Sequence, residues 1–529
     1  MKVDAGSLQE FDQHSVRTDW ITPDHAKRIP NHTMKFFIFL CLLATACSAG
    51  DLTGNWLLAT PNGDGTTRRT YFKLQQRGDR ITGTIRWTLH LFSITQSTGG
   101  PENFTITASM PIGPSERRVT YRGKLVGGEL QVTEIKAQAP GPTMMAHRVP
   151  DAEGALPARI EPPALHPVHD NGLARTPPMG WNSWNKFANH IDDATVRGIA
   201  DAMASNGMRD AGYVYVNIDD TWEGERDARG NIQPNRKFPN MKALADYVHS
   251  KGLKLGIYSS PGPNTCEGYE GSYGHEEQDA RTYAAWGIDY LKYDWCGAFT
   301  IYKDSEMQAV YQKMGDALLA SGRSIVYSLC QYGFEDVWKW GPSVGGNLWR
   351  TAGDISDSWE SMSRIGFSQE RLAPYARPGH WNDPDMLEIG NGHMSDTEYK
   401  THMSLWSMLA APLIAGNDVR AMSTSIHDIL TNPEVIAIDQ DKAGHQARRV
   451  WQSGQQEVWS RELADGDIAV AVFNRAPQVA RVTFRWADAG IRKTPSRIRD
   501  LWRHNESKEC GVEYSAEVPG HGVELLRIR

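Results

Sequence analysis

Residues 254–258, Lys-Leu-Gly-Ile-Tyr, and residues 290–294, Tyr-Leu-Lys-Tyr-Asp, are short, mostly apolar runs that each stop on a polar side chain. Runs of this length without strict alternation read as strands of a parallel sheet covered on both faces. Six more follow the same plan: Met179–Trp184, Tyr213–Asp219, Ile325–Cys330, Asn347–Asp354, Trp381–Met386 and Pro412–Asp418. Helical patterns separate the earlier runs. Asp192 or Asp193 can cap a helix whose apolar face is Val196, Ile199, Ala200 and Met203, ending at Asn206-Gly207. Another helix carries Met307, Val310, Tyr311, Met314 and Leu318 before Gly322. Eight strand–helix repeats over residues 172–440 predict a (β/α)8 TIM barrel.

Working outward, residues 50–140 read as β structure. Trp56-Leu57-Leu58, Tyr71–Leu74 and Ile81–Ile85 are strand-like, with turns at Arg77-Gly78-Asp79 and Gly127-Gly128. A small closed or sandwich-like β module is expected, with Trp56, Tyr71, Trp87 and Tyr121 as core residues rather than a sugar platform. Residues 141–171, rich in Pro, Ala and His, read as a linker. Residues 441–529 return to β, with a hairpin turn at Asp465-Gly466 and a last strand Gly522–Leu526, predicting an antiparallel sandwich. Met34-Lys35, the apolar run Phe36–Ala46 and the small residues through Ala49 have the plan of a secretory signal peptide. Translation is then expected to begin at Met34, residues 1–33 being upstream polar sequence, and the protein to be secreted or periplasmic. Acylation at Cys47 is the alternative.

The chain has 529 residues, a net charge of −7 and no long basic run, which argues against nucleic acid as a partner. No stretch is long and apolar enough to span a membrane. Of six cysteines, Cys41 and Cys47 fall in the leader; Cys266, Cys296, Cys330 and Cys510 show no zinc-type spacing, so neither a metal nor a cofactor is expected.

The strand ends carry the chemistry. Asp219 and Asp220, Tyr258, Lys292 with Asp294, Cys330, Arg350 with Asp354, Asp383 with Asp385, and Asp418 close successive strands, where a TIM barrel builds its active site. Any one of these acids could simply cap the following helix. Collected at one mouth they repel one another, which asks for a function. Carboxylates accept paired hydrogen bonds from the hydroxyls of a polyol. A carboxylate with a carboxylic acid is also what glycoside hydrolysis requires. A divalent cation is the competing occupant, disfavoured because Lys292 and Arg350 already bring positive charge.

Six blocks make the reading specific. Arg175-Thr-Pro-Pro-Met-Gly-Trp-Asn-Ser-Trp184, Ile218-Asp-Asp-Thr-Trp222, Gly252-Leu-Lys-Leu-Gly-Ile-Tyr258, Tyr290-Leu-Lys-Tyr-Asp-Trp-Cys296, Trp349-Arg-Thr-Ala-Gly-Asp354 and Trp381-Asn-Asp-Pro-Asp-Met386 resemble, in order, the motifs of glycoside hydrolase family 27, the α-galactosidase or melibiase family. The resemblance covers about residues 171–440 and extends to the C-terminal sandwich; residues 51–150 lie outside it. It implies an exo-acting, retaining hydrolase of terminal α-linked galactose, with Asp294 as nucleophile and Asp354 as acid/base.

By the same resemblance Asp219 and Asp220 take the 4- and 6-hydroxyls, Lys292 helps at the 3- and 4-hydroxyls, and Trp184 walls the sugar. Tyr258 and Asp385 complete the pocket, and Cys266 is joined to Cys296. Lys292 shares a strand face with Asp294, so its charge is expected to keep that carboxylate ionised. Asp354 is expected to hold a proton near neutral pH. Arg350 either orients the acids and the 2-hydroxyl or makes a structural salt bridge. Ser328-Leu-Cys-Gln-Tyr332 carries the bulky Cys330 and Tyr332, which resemble the versions that accept a free 2-hydroxyl. An α-N-acetylgalactosaminidase and a β-L-arabinopyranosidase are the alternatives within the family. A non-catalytic carbohydrate-binding protein is the alternative outside it.

Overall fold

The computed structural model describes residues 50–112, 115–136, 139–508 and 510–529. The expected leader, Met34–Ala49, and the sequence before it lie outside the described residues. Packing divides the described residues into two units, one containing residues 50–60 and Arg68–Ala155, the other Pro61–Thr67 and Leu156–Arg529.

In the first unit, strands β1 (Gly54–Pro61), β2 (Thr67–Arg77), β3 (Arg80–Trp87), β4 (His90–Gly100), β5 (Asn103–Ile112), β6 (Ser115–Val126), β7 (Glu129–Ile135) and β8 (Pro140–Val149) form a closed antiparallel barrel. Closure comes from β1 pairing with β8, Asn55 opposite Val149, and removes the free edges a small sheet would otherwise expose. Trp56, Phe72, Ile85, Phe92 and Ile106 are buried inside with Tyr121, while Trp87 is partly buried and stacks on Phe92. Strand β8 falls in the stretch whose prolines suggested a linker, which therefore starts after Val149. The misreading has a physical cause: of the β8 side chains only Ala146 is buried, so the strand shows no apolar alternation.

The second unit is built on eight parallel strands: β9 (Met179–Asn182), β10 (Tyr215–Asn217), β11 (Lys254–Ser259), β12 (Tyr290–Asp294), β13 (Val326–Cys330), β14 (Leu348–Arg350), β15 (Trp381–Asp383) and β16 (Leu413–Ala415). They lie in the order β15–β14–β13–β12–β11–β10–β9–β16. Leu387, just past β15, joins the two ends: its N–H donates to the Ile414 carbonyl at 2.8 Å and its carbonyl accepts from Gly416 N–H at 2.9 Å. The result is the TIM-type barrel. The helix Asp193–Ser205 starts at the Asp192 cap, whose carboxylate accepts from Thr195 N–H, and buries Val196, Ile199, Ala200 and Met203 against the sheet. The helix Met307–Ala320 does the same with Val310, Tyr311, Met314 and Leu318.

Beyond the barrel, β17 (Arg448–Ser453), β18 (Gln456–Glu462), β19 (Ile468–Asn474), β21 (Ile498–Asp500), β22 (Asn505–Ser507) and β24 (Val523–Ile528) form one sheet, and β20 (Ala480–Arg485) pairs with β23 (Glu513–Val518). Val458, Val470, Val472, Phe484 and Trp486 fill the space between them. Trp459 and Phe473 face the other way and join the core of the parallel barrel. No helix among the described residues is long and apolar enough to cross a membrane.

Candidate active site

Seven of the eight strand ends deliver one or two side chains to a common mouth. At the end of β9, Asn182 donates through Nδ2 to Asp219 Oδ2 at 2.8 Å, and its own oxygen accepts the backbone N–H of Trp184. Past β10, Asp219 and Asp220 are both buried. Asp220 accepts Thr221 N–H at 2.7 Å and Glu267 N–H at 2.9 Å. Thr221 adopts φ 86°, a strained conformation for a β-branched residue. Near the end of β11, the Tyr258 hydroxyl points to Cys266 Sγ at 3.2 Å. Cys266 and Cys296 form a disulfide, with Cα atoms 5.0 Å apart, tying the loops after β11 and β12 together.

On β12, Lys292 and Asp294 share one face, as their spacing requires. Lys292 Nζ pairs with Asp219 at 2.8 Å rather than with Asp294. Asp294 Oδ1 instead accepts the Tyr332 hydroxyl at 2.8 Å, and Tyr332 itself sits at φ 61° in the loop after β13. Cys330 is buried beside Arg350, its Sγ 3.7 Å from a guanidinium nitrogen. Arg350 bridges two acids, Asp354 at 3.0 Å and Asp385 at 2.8 Å. Asp385, at φ 94°, is fixed through its backbone carbonyl by Trp406 Nε1 at 2.7 Å and through its carboxylate by Ile355 N–H at 2.9 Å. Arg350 is 4% exposed and Asp354 is 70% exposed: one face of the pair is locked and the other open to solvent.

The electrostatics correct one expectation. Burial pushes the Asp294 carboxyl up to about 6, and the charge of Lys292 and the Tyr332 hydrogen bond only partly offset it. The Lys292 charge is spent chiefly on Asp219, which holds the ammonium form against its own burial. Burial also raises Asp220, to about 7, and Asp385, to about 6. Asp418, the acid past the eighth strand, turns to Arg420 at 2.8 Å rather than to Arg350 or Lys292. The remaining sequence-derived residues, Trp184, Asp219, Asp220, Tyr258, Cys266, Lys292, Asp294, Cys330, Tyr332, Arg350, Asp354 and Asp385, lie near the carboxyl ends of the strands of this one barrel or in the loops that follow them.

Cys266, Asp294 and Cys296 offer ligand atoms within 4.8 Å of one another. The two sulfurs are consumed by the disulfide, so this group does not fit a thiolate-bound metal. Sequence reasoning overlooked Asn182, which orients Asp219, and two buried glutamates. Glu223 accepts Thr221 N–H at 3.0 Å, and Glu388 accepts Asn391 Nδ2 at 2.6 Å. Their signal was adjacency: Glu223 follows Trp222, and Glu388 follows Met386-Leu387.

The sequence model described as "Alpha galactosidase A" matches residues 176–441, and that described as "Alpha galactosidase C-terminal beta sandwich domain" matches residues 453–528. The chain is 50% identical over 361 residues to the alpha-galactosidase of Cyamopsis tetragonoloba, covering 67% of this chain and 87% of that protein. This chain belongs to the α-galactosidase family. A bacterial relative, alpha-galactosidase A of Cellvibrio japonicus, is 46% identical over 380 residues, covering 67% and 92%. The crystal structure of alpha-galactosidase I from Mortierella vinacea matches with a TM-score of 0.66 at 38% identity, covering 68% of this chain and 98% of that one. The family match spans the barrel and the sandwich. The eight-stranded β barrel precedes it.

Proposed function

We infer that the protein is an α-galactosidase that removes terminal α-linked galactose with retention of configuration. The observation that carries this reading is the pairing across the mouth. A buried Asp294 is held by Tyr332, and a solvent-facing Asp354 is held by Arg350. In the proposed reaction Asp294 attacks the anomeric carbon while Asp354 protonates the leaving oxygen, giving a β-galactosyl ester. Asp354 then takes a proton from water, which attacks the same carbon and releases α-galactose. The Asp219–Lys292 pair and Asp220 are proposed to bind the sugar hydroxyls, Trp184 and Tyr258 to wall the pocket, and Asp385 to orient Arg350. An Asp reading the axial 4-hydroxyl rejects glucose by leaving a buried group unpaired.

Cys330 and Tyr332 are proposed to crowd the 2-position, admitting a hydroxyl but not an acetamide. The Cys266–Cys296 disulfide supports export, since such bonds persist in oxidising compartments. The test is a panel of nitrophenyl α-galactoside, α-N-acetylgalactosaminide and β-L-arabinopyranoside on purified protein, with the first-formed anomer read by NMR. Preferred cleavage of the α-galactoside with α-galactose as first product is expected. Equal rates on the acetamido sugar would overturn the assignment of the 2-position, and a β first product would overturn the mechanism.

A further inference from the structure

Segment Pro61–Thr67, between β1 and β2, belongs to the second unit yet lies outside the family match. Its own geometry is tightly specified. Asn62 N–H donates to the Thr66 carbonyl at 3.0 Å, and Asp64 accepts Thr66 N–H at 2.9 Å. Gly65 takes φ +92°, and a Cβ there would meet the Arg236 side chain. The Asp64 carbonyl accepts Arg236 N–H at 2.8 Å, and its carboxylate accepts the Tyr269 hydroxyl at 2.7 Å. Asp64 is 6% exposed. Burial would raise its carboxyl, but hydrogen bonds from Thr66 and Tyr269 hold it below its ordinary value, so the Tyr269 bond is charge-assisted.

Two paths run from this contact to Asp220. Tyr269 closes the turn after β11: its carbonyl accepts Thr265 N–H at 3.0 Å and its N–H donates to Thr265 Oγ1 at 3.0 Å. That turn contains Glu267, whose N–H donates to Asp220. Lys237, next to Arg236, lies 5.8 Å above the Tyr269 ring and donates to Thr221 Oγ1 at 2.9 Å. Thr221 is the strained residue whose N–H makes the other backbone bond to Asp220. Both backbone donors that fix the Asp220 carboxylate thus sit on segments anchored around Asp64 and Tyr269.

We propose that Asp64 is a positioning residue for Asp220, so that a segment outside the family match sets how firmly the pocket grips the sugar. The proposal rests on the galactosidase reading, in which Asp220 binds a galactose hydroxyl. Loosening Asp220 weakens sugar binding while leaving Asp294 and Asp354 in place. The signature is therefore in KM and in inhibition by free galactose, not in kcat.

The experiment measures both constants for wild type, Asp64→Ala, Asp64→Asn and Tyr269→Phe with nitrophenyl α-galactoside. Asp64→Ala and Tyr269→Phe are each expected to raise KM and the galactose inhibition constant about tenfold with kcat within about twofold, a loss typical of one buried hydrogen bond to a charged group. Asp64→Asn, which keeps an oxygen acceptor, should recover most of the loss. The double variant Asp64→Ala/Tyr269→Phe should be no worse than either single change. Tyr269→Phe removes one hydroxyl and keeps the ring, so it carries the test if Asp64→Ala does not fold. Unchanged KM in an active Tyr269→Phe protein, or a parallel fall in kcat, would overturn the positioning role. An inactive wild type would overturn the functional reading beneath it.

Discussion

In the proposed mechanism Asp294 must be ionised to attack carbon, yet it is buried, and burial alone drives its carboxyl toward neutrality. The balance at about 6 is set against burial by the nearby Lys292 charge and the Tyr332 hydroxyl. The activity profile should follow it. kcat/KM, which reports groups on the free enzyme, should fall as pH drops through about 6. Tyr332→Phe removes a bond that stabilises the carboxylate, so the acid limb should move up by roughly half to one pH unit. A limb that stays put or moves down in Tyr332→Phe would contradict the assignment. Asp294→Asn preserves shape and removes the proposed nucleophile, and turnover should drop on the order of 10³-fold or more. Added azide should recover part of it as β-galactosyl azide; a variant keeping a tenth of wild-type turnover would remove Asp294 from the role. Asp294 was visible in the sequence as the end of an apolar strand, whereas Asp354 lies four residues past β14 and was singled out by the family resemblance. The actual partner of Lys292 was not visible, since strand alternation fixes which face a side chain takes but not which of two nearby carboxylates it meets. Nor were the left-handed backbones of Thr221, Tyr332 and Asp385, which no glycine announces.

At the scale of elements, the strands are short and precise while the loops after them do the positioning. Strands β11 to β13 could be read nearly to the residue, because parallel strands covered on both faces are continuously apolar. Loop geometry depends on contacts distant in sequence, and only the family resemblance pointed to the Cys266–Cys296 pairing. That disulfide closes a separation of 30 residues, a constraint worth roughly 3–4 kcal/mol in the chain-entropy account. It also lies beside the Tyr258 hydroxyl and next to Glu267, the Asp220 donor. Replacing both cysteines by serine should lower Tm by several degrees and raise KM more than it lowers kcat, as calorimetry and steady-state kinetics on one preparation can read. A Tm loss with unchanged KM would reduce the disulfide to a structural staple. Strand β8 was lost to the sequence for the opposite reason, since a strand with one buried side chain carries too little pattern to find.

Across the whole molecule, the fold buries several carboxyls in its second unit, and that sets how stability should depend on pH. Burial raises Asp294 and Asp385 to about 6, Asp220 to about 7 and Glu388 to about 8, and lifts Glu223 and Asp439 well above their ordinary values. Each of these groups binds a proton more tightly folded than unfolded. Between the unfolded carboxyl pKa, about 4, and its raised folded value, the native state therefore holds the extra proton, and stability falls as pH rises. Buried His402, lowered to about 3, works the other way between about 3 and the unfolded histidine value near 6.5. Burial lowers His90 and His380 in the same direction, and the raised carboxyls outnumber these histidines. Carboxyls held low by partners, such as Glu434 at about 2 with Arg499 and His504, lose their contribution as pH falls from the unfolded carboxyl value toward 2. The optimum should then lie at about pH 4.5–5.5, with Tm declining steadily toward pH 8. Glu388→Gln keeps the shape of a buried neutral side chain and removes its titration, so it should flatten the decline between pH 5 and 8 with little change at pH 5. Melting curves for wild type and variant across that range decide it: a Tm that rises toward pH 8 would mean that these carboxyls are paired or hydrated enough to ionise freely in the folded protein.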